Sequence, residues 1–216
     1  MIIGIAGFQG AGKDTIADYL QNIYGFKRES FAATLKDAVS SVFGWDRELL
    51  EGRTKESRAW REQPDPWWVE RLGLSNLTPR WVLQQWGTEV ARRAFHDDIW
   101  IASLENKLLK AHDDIVITDV RFPNEIQAVR NAGGIVIRVI RGPEPNWYDT
   151  ALGANAGILS DRALLKKLGI HPSETAWIGT NFDAVIDNNA DGLDPLFAQI
   201  RDLVTNLQAS KQDSNA

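Results

Sequence analysis

The sequence predicts an α/β fold: three layers, α/β/α, around a five-stranded parallel sheet. Three observations predict it. Strand candidates recur at Ile2–Ala6, Lys27–Ala32, Ile115–Val120, Ile135–Ile140 and Ala184–Asn188, most of them short apolar runs of the kind buried in a parallel sheet. Segments of helical periodicity lie between them, at Asp14–Tyr24, Thr34–Val42, Pro79–Phe95, Trp100–Ala111, Asn124–Ala132 and Leu193–Leu207. The first run leads directly into a glycine-rich turn, Gly7-Phe8-Gln9-Gly10-Ala11-Gly12-Lys13-Asp14-Thr15, which opens the first helix.

That turn is a phosphate-binding loop in its expected setting of strand, turn and amphipathic helix (Ile16, Ala17, Tyr19, Leu20, Ile23). Its glycines let backbone N–H groups close around phosphate oxygens, and the helix adds its positive N-terminal end. Gly7, Gln9, Gly10, Ala11, Gly12, Lys13, Asp14 and Thr15 are the candidate donor-nucleotide contacts, with Lys13 serving the β- and γ-phosphates. Asp14 stands where Ser or Thr usually holds Mg²⁺. It could hold Mg²⁺ directly or through water, or Thr15 could supply the hydroxyl. A first-turn carboxylate that merely suits the helix N-terminus is the competing reading. The cost of a negative charge beside triphosphate favours a metal between them.

Further along, Ile115–Val120 is a hydrophobic strand ending in an acid, Asp119. An acid there holds the Mg²⁺ water shell in phosphate-loop enzymes, although it could also cap or pair with Arg121. Arg121 would reach over the strand ends toward phosphates, or else form an ion pair with Glu125; Asn124 is a plausible N-cap for the next helix. Within 78–96, Val82, Trp86, Val90 and Ala94 form an apolar stripe, and Gln85, Glu89, Arg92 and His96 a polar one. The polar stripe is a solvated face or a reader of a base edge and a monophosphate. Gly87 inside it costs about 1 kcal/mol relative to alanine, which implies close packing or ligand approach.

Two segments interrupt the alternation: an insertion over about 45–78, and a second over about 142–180 containing Arg162, Lys166 and Lys167 at helical spacing. Such insertions serve as lids or binding loops. The cations could close onto a triphosphate, or form a solvated basic face. Arg138 and Arg141 are positioned to anchor this lid, and the turn Asn188–Gly192 could pack on a nucleobase. The expected organisation is one domain over 1–208 and a polar tail over 209–216.

Composition bounds the chemistry. The 216 residues carry 44% hydrophobic and 25% charged side chains, as in an ordinary soluble globular protein. No run resembles a signal peptide or spans a bilayer. The absence of cysteine excludes disulfides, thiolate zinc sites and a cysteine nucleophile, and fits a cytoplasmic setting. A net charge of −5 with dispersed basic residues argues against a nucleic-acid ligand and for small phosphates in a cleft. Seven of the nine tryptophans lie between Trp45 and Trp100, as core, interface or base-stacking groups.

Taken together, the chain resembles the phage-type deoxynucleoside monophosphate kinases, a branch of the phosphate-loop nucleoside monophosphate kinases. The resemblance rests on Gly7–Thr15 with its Gly-Lys-Asp-Thr ending, Phe31-Ala32 with Leu35-Lys36, Arg58–Glu62, Thr78-Pro79-Arg80, Leu83–Glu89, Asp119–Glu125, His171–Glu174 and Asp183–Asn189. It implies transfer of the γ-phosphoryl of ATP, with Mg²⁺, to a deoxynucleoside 5′-monophosphate. It implies Lys13, Arg121 and Arg162 as catalytic groups, and Asp14 and Asp119 as metal ligands. Phe31, Lys36, Trp60, Gln85, Glu89, Arg92 and Arg121 are implied on the acceptor side. It also implies a cytoplasmic enzyme, of the host if phage-encoded, with small nucleotides as partners; a homodimer is compatible with it. Competing readings are a phosphate-loop kinase of another small acceptor or of a modified base in DNA, and an ATP-binding module without turnover.

Overall fold

The structure, a computed structural model, describes residues 1–213. These form two compact units: residues 1–30 together with the chain from Leu108 onward, and Phe31–Lys107.

The first unit holds the sheet. Strands β1 (Ile2–Ala6), β2 (Lys27–Glu29), β3 (Ile115–Ile117), β4 (Ile135–Ile140) and β5 (Ala184–Asp187) lie in the order β2-β3-β1-β4-β5, all neighbours parallel. All five expected strands are present. β2 and β3 stop short of their apolar runs, because Ser30 onward and Thr118 onward leave the ladder as loops at the carboxyl edge. β1 is central, and Ile3, Ile5 and Ala6 are fully buried. Helix α1 (Lys13–Tyr24) packs Ile16, Ala17 and Leu20 onto the sheet, beside Leu196, Ile200 and Val204 of the C-terminal helix, α12 (Asp194–Asp213). α12 runs past Ala209, where a polar tail was expected to begin; the rest of that tail, 214–216, lies outside the described residues. Burying such a set of aliphatic side chains, each worth about 1.5–3 kcal/mol, stabilises the platform under the glycine-rich turn. Helix α8 (Pro123–Asn131) follows β3 and packs Ile126, Ala128 and Val129. Between β4 and β5 the chain builds three short helices, α9 (Tyr148–Asn155), α10 (Leu159–Lys167) and α11 (Pro172–Thr175), in the segment expected to be a lid.

The second unit is helical: α2 (Ala33–Phe43), α3 (Arg47–Glu51), α4 (Lys55–Arg61), α5 (Pro66–Leu72) and α6 (Pro79–Gln84), with α7 (Ile99–Leu108) closing it. Its core is Leu35, Val39, Trp45, Leu50, Leu77 and Val82, wrapped by Phe43, Trp60, Trp68, Trp81, Trp86 and Trp100. The tryptophans therefore serve chiefly as core, and their indole N–H groups find partners as burial requires. Trp45 Nε1 donates to Asp65 Oδ2 at 2.7 Å, and Trp100 Nε1 to the Gly87 carbonyl at 2.9 Å.

One expectation fails in an informative way. The segment Gln85–Arg93 is a π-helix continuing from α6, with Ala94 N–H bonded to the Glu89 carbonyl at 3.2 Å and His96 N–H to the Ala91 carbonyl at 2.9 Å. Its wider turn breaks the spacing on which the apolar stripe was drawn: Val82 is buried, but Val90 is 54% exposed. Gly87 has the expected packing reason. A Cβ there would lie 2.8 Å from Leu35 Cδ2.

Candidate active site

The glycine-rich turn closes at the carboxyl end of β1, where ligands bind in open α/β sheets. Gly7, Gly10 and Gly12 have φ of +144°, +81° and +106°. At Gly7 a side chain is excluded as well, because its Cβ would lie 2.6 Å from the Val139 carbonyl oxygen. Lys13, the first residue of α1, folds back over the turn. Its Nζ donates to the carbonyls of Gly7 and Phe8, both at 2.8 Å. Burial, and then the nearby Arg121, lower its pKa to about 8 against the opposing pull of Glu174 and Asp119. Lys13, Arg121, Asp119 and Glu174 thus form one electrostatic cluster, and the structure brings together three residues expected at the phosphates.

Arg121 departs from one of its two sequence expectations, the ion pair with Glu125. Its guanidinium does not pair with Glu125; Nη1 lies 3.3 Å from Ser173 Oγ and 3.2 Å from Glu174 Oε1, both in α11. Glu125, buried at 3% exposure, accepts instead from the backbone N–H groups of Arg121 (2.8 Å) and Phe122 (3.1 Å). That bond caps α8, whose N-cap is Phe122 with Pro123 at the first helical position; Asn124 lies inside the helix, so it is not the N-cap. The capping fixes the backbone that carries Arg121.

The Asp14 carboxylate pairs with Arg28 of β2, whose guanidinium also reaches Asp18 Oδ1 at 3.2 Å and Thr118 Oγ1 at 3.4 Å. Asp14 is 72% exposed, so this pair is worth at most about 1 kcal/mol.

Sequence reasoning missed what ties α9–α11 to the turn. Phe8 packs edge-on against Trp147, Tyr148 and Trp177, with the Trp177 centroid 4.8 Å away. Arg138, within β4, donates to Tyr148 Oη at 3.0 Å, pairs with Glu144, and lies 5.2 Å from the ring centroids of Tyr148 and Trp177. Arg138 therefore anchors this segment as expected, through cation–π contacts. Arg162, expected to face phosphates, is exposed, and its Nε donates to the Ala154 carbonyl at 2.9 Å, joining α10 to α9.

In the second unit Lys36 and Arg47 share one carboxylate. Lys36 Nζ lies 2.7 Å from Glu51 Oε2, and Arg47 Nη1 lies 2.5 Å from Glu51 Oε1. Burial opposes the Glu51 charge, but the two cations prevail and hold its pKa at about 2. On the π segment, Gln85, Glu89 and Arg92 are half-buried, and Glu89 holds Arg93 at 2.6 Å. Trp60 lies at the edge of the aromatic core. Phe31 is buried at 4% exposure.

Over 221 aligned residues the chain is 30% identical to a protein of Acanthamoeba polyphaga mimivirus assigned as a deoxynucleotide monophosphate kinase, covering 95% of this chain and 97% of that one. The chain belongs to the deoxynucleotide monophosphate kinase family. The family's own profile matches residues 71–157. The deoxynucleoside-5′-monophosphate kinase of Escherichia phage T5 is 30% identical over 179 residues, 60% of this chain and 72% of that protein. Two solved structures align over most of the chain: TT1252 from Thermus thermophilus, at 18% identity and a TM-score of 0.46 (96% of this chain, 97% of that one), and shikimate kinase from Bacteroides thetaiotaomicron, at 12% and 0.41 (96% and 98%). As a member of this kinase family the protein is a phosphotransferase acting in nucleotide metabolism. No helix among the described residues is long and apolar enough to cross a membrane.

Proposed function

We propose that this kinase transfers the γ-phosphoryl group of ATP to a deoxynucleoside 5′-monophosphate, giving the diphosphate and ADP. The observation that carries the reading is the cluster at the carboxyl end of β1: three positive-φ glycines, Lys13 over them, and Arg121 and Asp119 within electrostatic reach. The acceptor phosphate is already ionised, so no general base is needed. Catalysis is positioning and neutralisation of charge. In this reading the backbone of Gly7–Thr15 grips the donor phosphates. Lys13 leaves its carbonyl partners for the β- and γ-phosphate oxygens, and Arg121 exchanges Glu174 for phosphate.

Mg²⁺ would take oxygen donors from Asp119 and from Asp14 or Thr15 on the first turn of α1, and when bound it neutralises triphosphate charge. Hard carboxylate and hydroxyl oxygens suit that ion. The weak Asp14–Arg28 pair costs little to exchange.

In this reading Phe31, Lys36, Trp60, Gln85, Glu89 and Arg92 are the acceptor-side groups. Glu51 holds the Lys36 ammonium by one of its three donors, leaving two for an acceptor phosphate. Arg162, joined to Ala154, acts by holding α10 against α9. A net charge of −5 supports small nucleotides rather than nucleic acid as partners, and a cytoplasmic setting, that of the host for a phage-encoded copy, supplies them.

A coupled ADP-release assay across the deoxynucleoside monophosphates tests the proposal. ADP release that depends on a monophosphate is the expected result. Turnover without one would indicate an ATPase, and ATP binding without turnover a non-catalytic module.

A further inference from the structure

Three carbonyls of the phosphate loop accept hydrogen bonds from side-chain donors. Gly7 and Phe8 accept from Lys13 Nζ, and the Ala11 carbonyl accepts from Nδ2 of Asn188 at 2.8 Å. Asn188 follows β5, and its backbone N–H is bonded to the Ile140 carbonyl at 2.8 Å, so it is docked on the sheet. Its side-chain amide lies directly against Gly12. A Cβ on Gly12 would meet Nδ2 at 2.5 Å.

The Ala11–Gly12 peptide is trans, and in a planar trans peptide the carbonyl and the following N–H point in opposite directions. With the Ala11 oxygen held by Asn188, the Gly12 N–H points away from Asn188. This peptide needs a restraint. Glycine accepts both signs of φ, so rotation about the peptide plane meets little steric resistance at Gly12. In the rotated state a carbonyl oxygen, not an N–H, would face a bound anion.

We propose that Asn188 is a positioning residue for the donor phosphates: by holding the Ala11 carbonyl it presents the Gly12 N–H to the phosphate chain of ATP. The inference rests on reading Gly7–Thr15 as the donor site. Asn188 acts through Gly12 and makes no contact with nucleotide in this role. The turn after β5 therefore serves the phosphates rather than the base.

Calorimetric titration of wild type, Lys13→Ala and Asn188→Leu with ATP, ADP and AMP tests it, together with steady-state kinetics. Asn188→Leu keeps the volume against Gly12 and removes the donor. The expected result is a Kd for ATP and ADP raised about tenfold, the scale of one lost hydrogen bond. AMP, which lacks the outer phosphates, should bind within about twofold of wild type. KM for ATP should rise while KM for the monophosphate stays unchanged. Where Asn188→Leu does not fold, Asn188→Ala, which adds no atom, is read the same way. Wild-type ATP affinity in the Asn188 variants, with Lys13→Ala weakened, overturns the inference alone. Equal losses for ATP and AMP overturn it too, in favour of a base contact. ATP affinity unaffected by Lys13→Ala removes the donor-site reading, and the inference with it.

Discussion

Nη1 of Arg121 lies 3.2 Å from Oε1 of Glu174, so an arginine beside Lys13 is held by a carboxylate 53 residues away in α11. The two side chains are 46% and 38% exposed, which makes the pair worth at most about 1 kcal/mol to the fold. A dianionic phosphate can replace one carboxylate on such an arginine with little loss. Glu174 is thus placed as a removable counter-charge.

Replacing it follows directly. Glu174→Gln should tighten ATP binding by about two- to fivefold, because a negative charge leaves the neighbourhood of the triphosphate. The thermal midpoint should move by no more than about 2 °C. ATP titration and a melting curve measure both. Weaker ATP binding in the variant would mean that Glu174 assists rather than competes.

Lys13→Met should lower the rate of transfer by about three orders of magnitude, the scale of losing a preorganised cation at a phosphoryl group. The fold should persist, since a half-buried ammonium is replaced by an apolar chain of similar reach. Retained turnover, with an unchanged far-ultraviolet circular dichroism spectrum, would move the donor site elsewhere.

The same lysine sets a pH dependence. Its pKa in the free protein is lowered from 10.5 to about 8, so above pH 8 a growing fraction is neutral. Triphosphate favours the charged form, so binding takes up a proton. ATP affinity should therefore fall as pH rises above about 8. Calorimetry at pH 8.5 in two buffers of different ionisation heat reads the proton uptake. Zero uptake contradicts the role given to Lys13.

How legible was this in the sequence? The strands β1, β3 and β4 were, because each is an apolar run largely buried in the sheet, whereas β2, Lys27-Arg28-Glu29, is charged and only partly buried. The donor turn was, because spacing and setting are contiguous. The contacts that shape the site were not. Arg121–Glu174 and Asn188–Ala11 join positions 53 and 177 residues apart, and no local signal pairs them. The aromatic packing of Phe8 on Trp177 is of the same kind. The π-helix escaped for another reason. Stripes drawn at α-helical spacing presuppose the period they test, and Gln85–Arg93 has a different one.

Glu51 should contribute to acid stability in the second unit. Its pKa is depressed from 4.5 to about 2, so its contribution is complete above pH 4.5 and is lost as pH falls toward 2. Glu51→Gln should remove that part of the acid dependence and lower stability at neutral pH, since Lys36 and Arg47 lose their shared anion. Denaturant unfolding at pH 7 and pH 3 distinguishes the two effects. An identical acid slope in wild type and variant would contradict the pairing.

Gly87 offers the sharpest test of the π segment. It is buried, and an added methyl group would lie 2.8 Å from Leu35 Cδ2, the far end of a side chain that already packs in the core. Gly87→Ala should therefore destabilise the protein by about 1–3 kcal/mol through overpacking, although alanine is the better helix former by about 1 kcal/mol. If the adjacent Gln85, Glu89 and Arg92 serve the acceptor, KM for the monophosphate should rise while KM for ATP stays fixed. The double variant Leu35→Val, Gly87→Ala opens space at the contact and should recover part of the lost stability. A stabilised Gly87→Ala protein with unchanged kinetics would mean that the close approach to Leu35 is not maintained and that the segment tolerates ordinary α-helical packing.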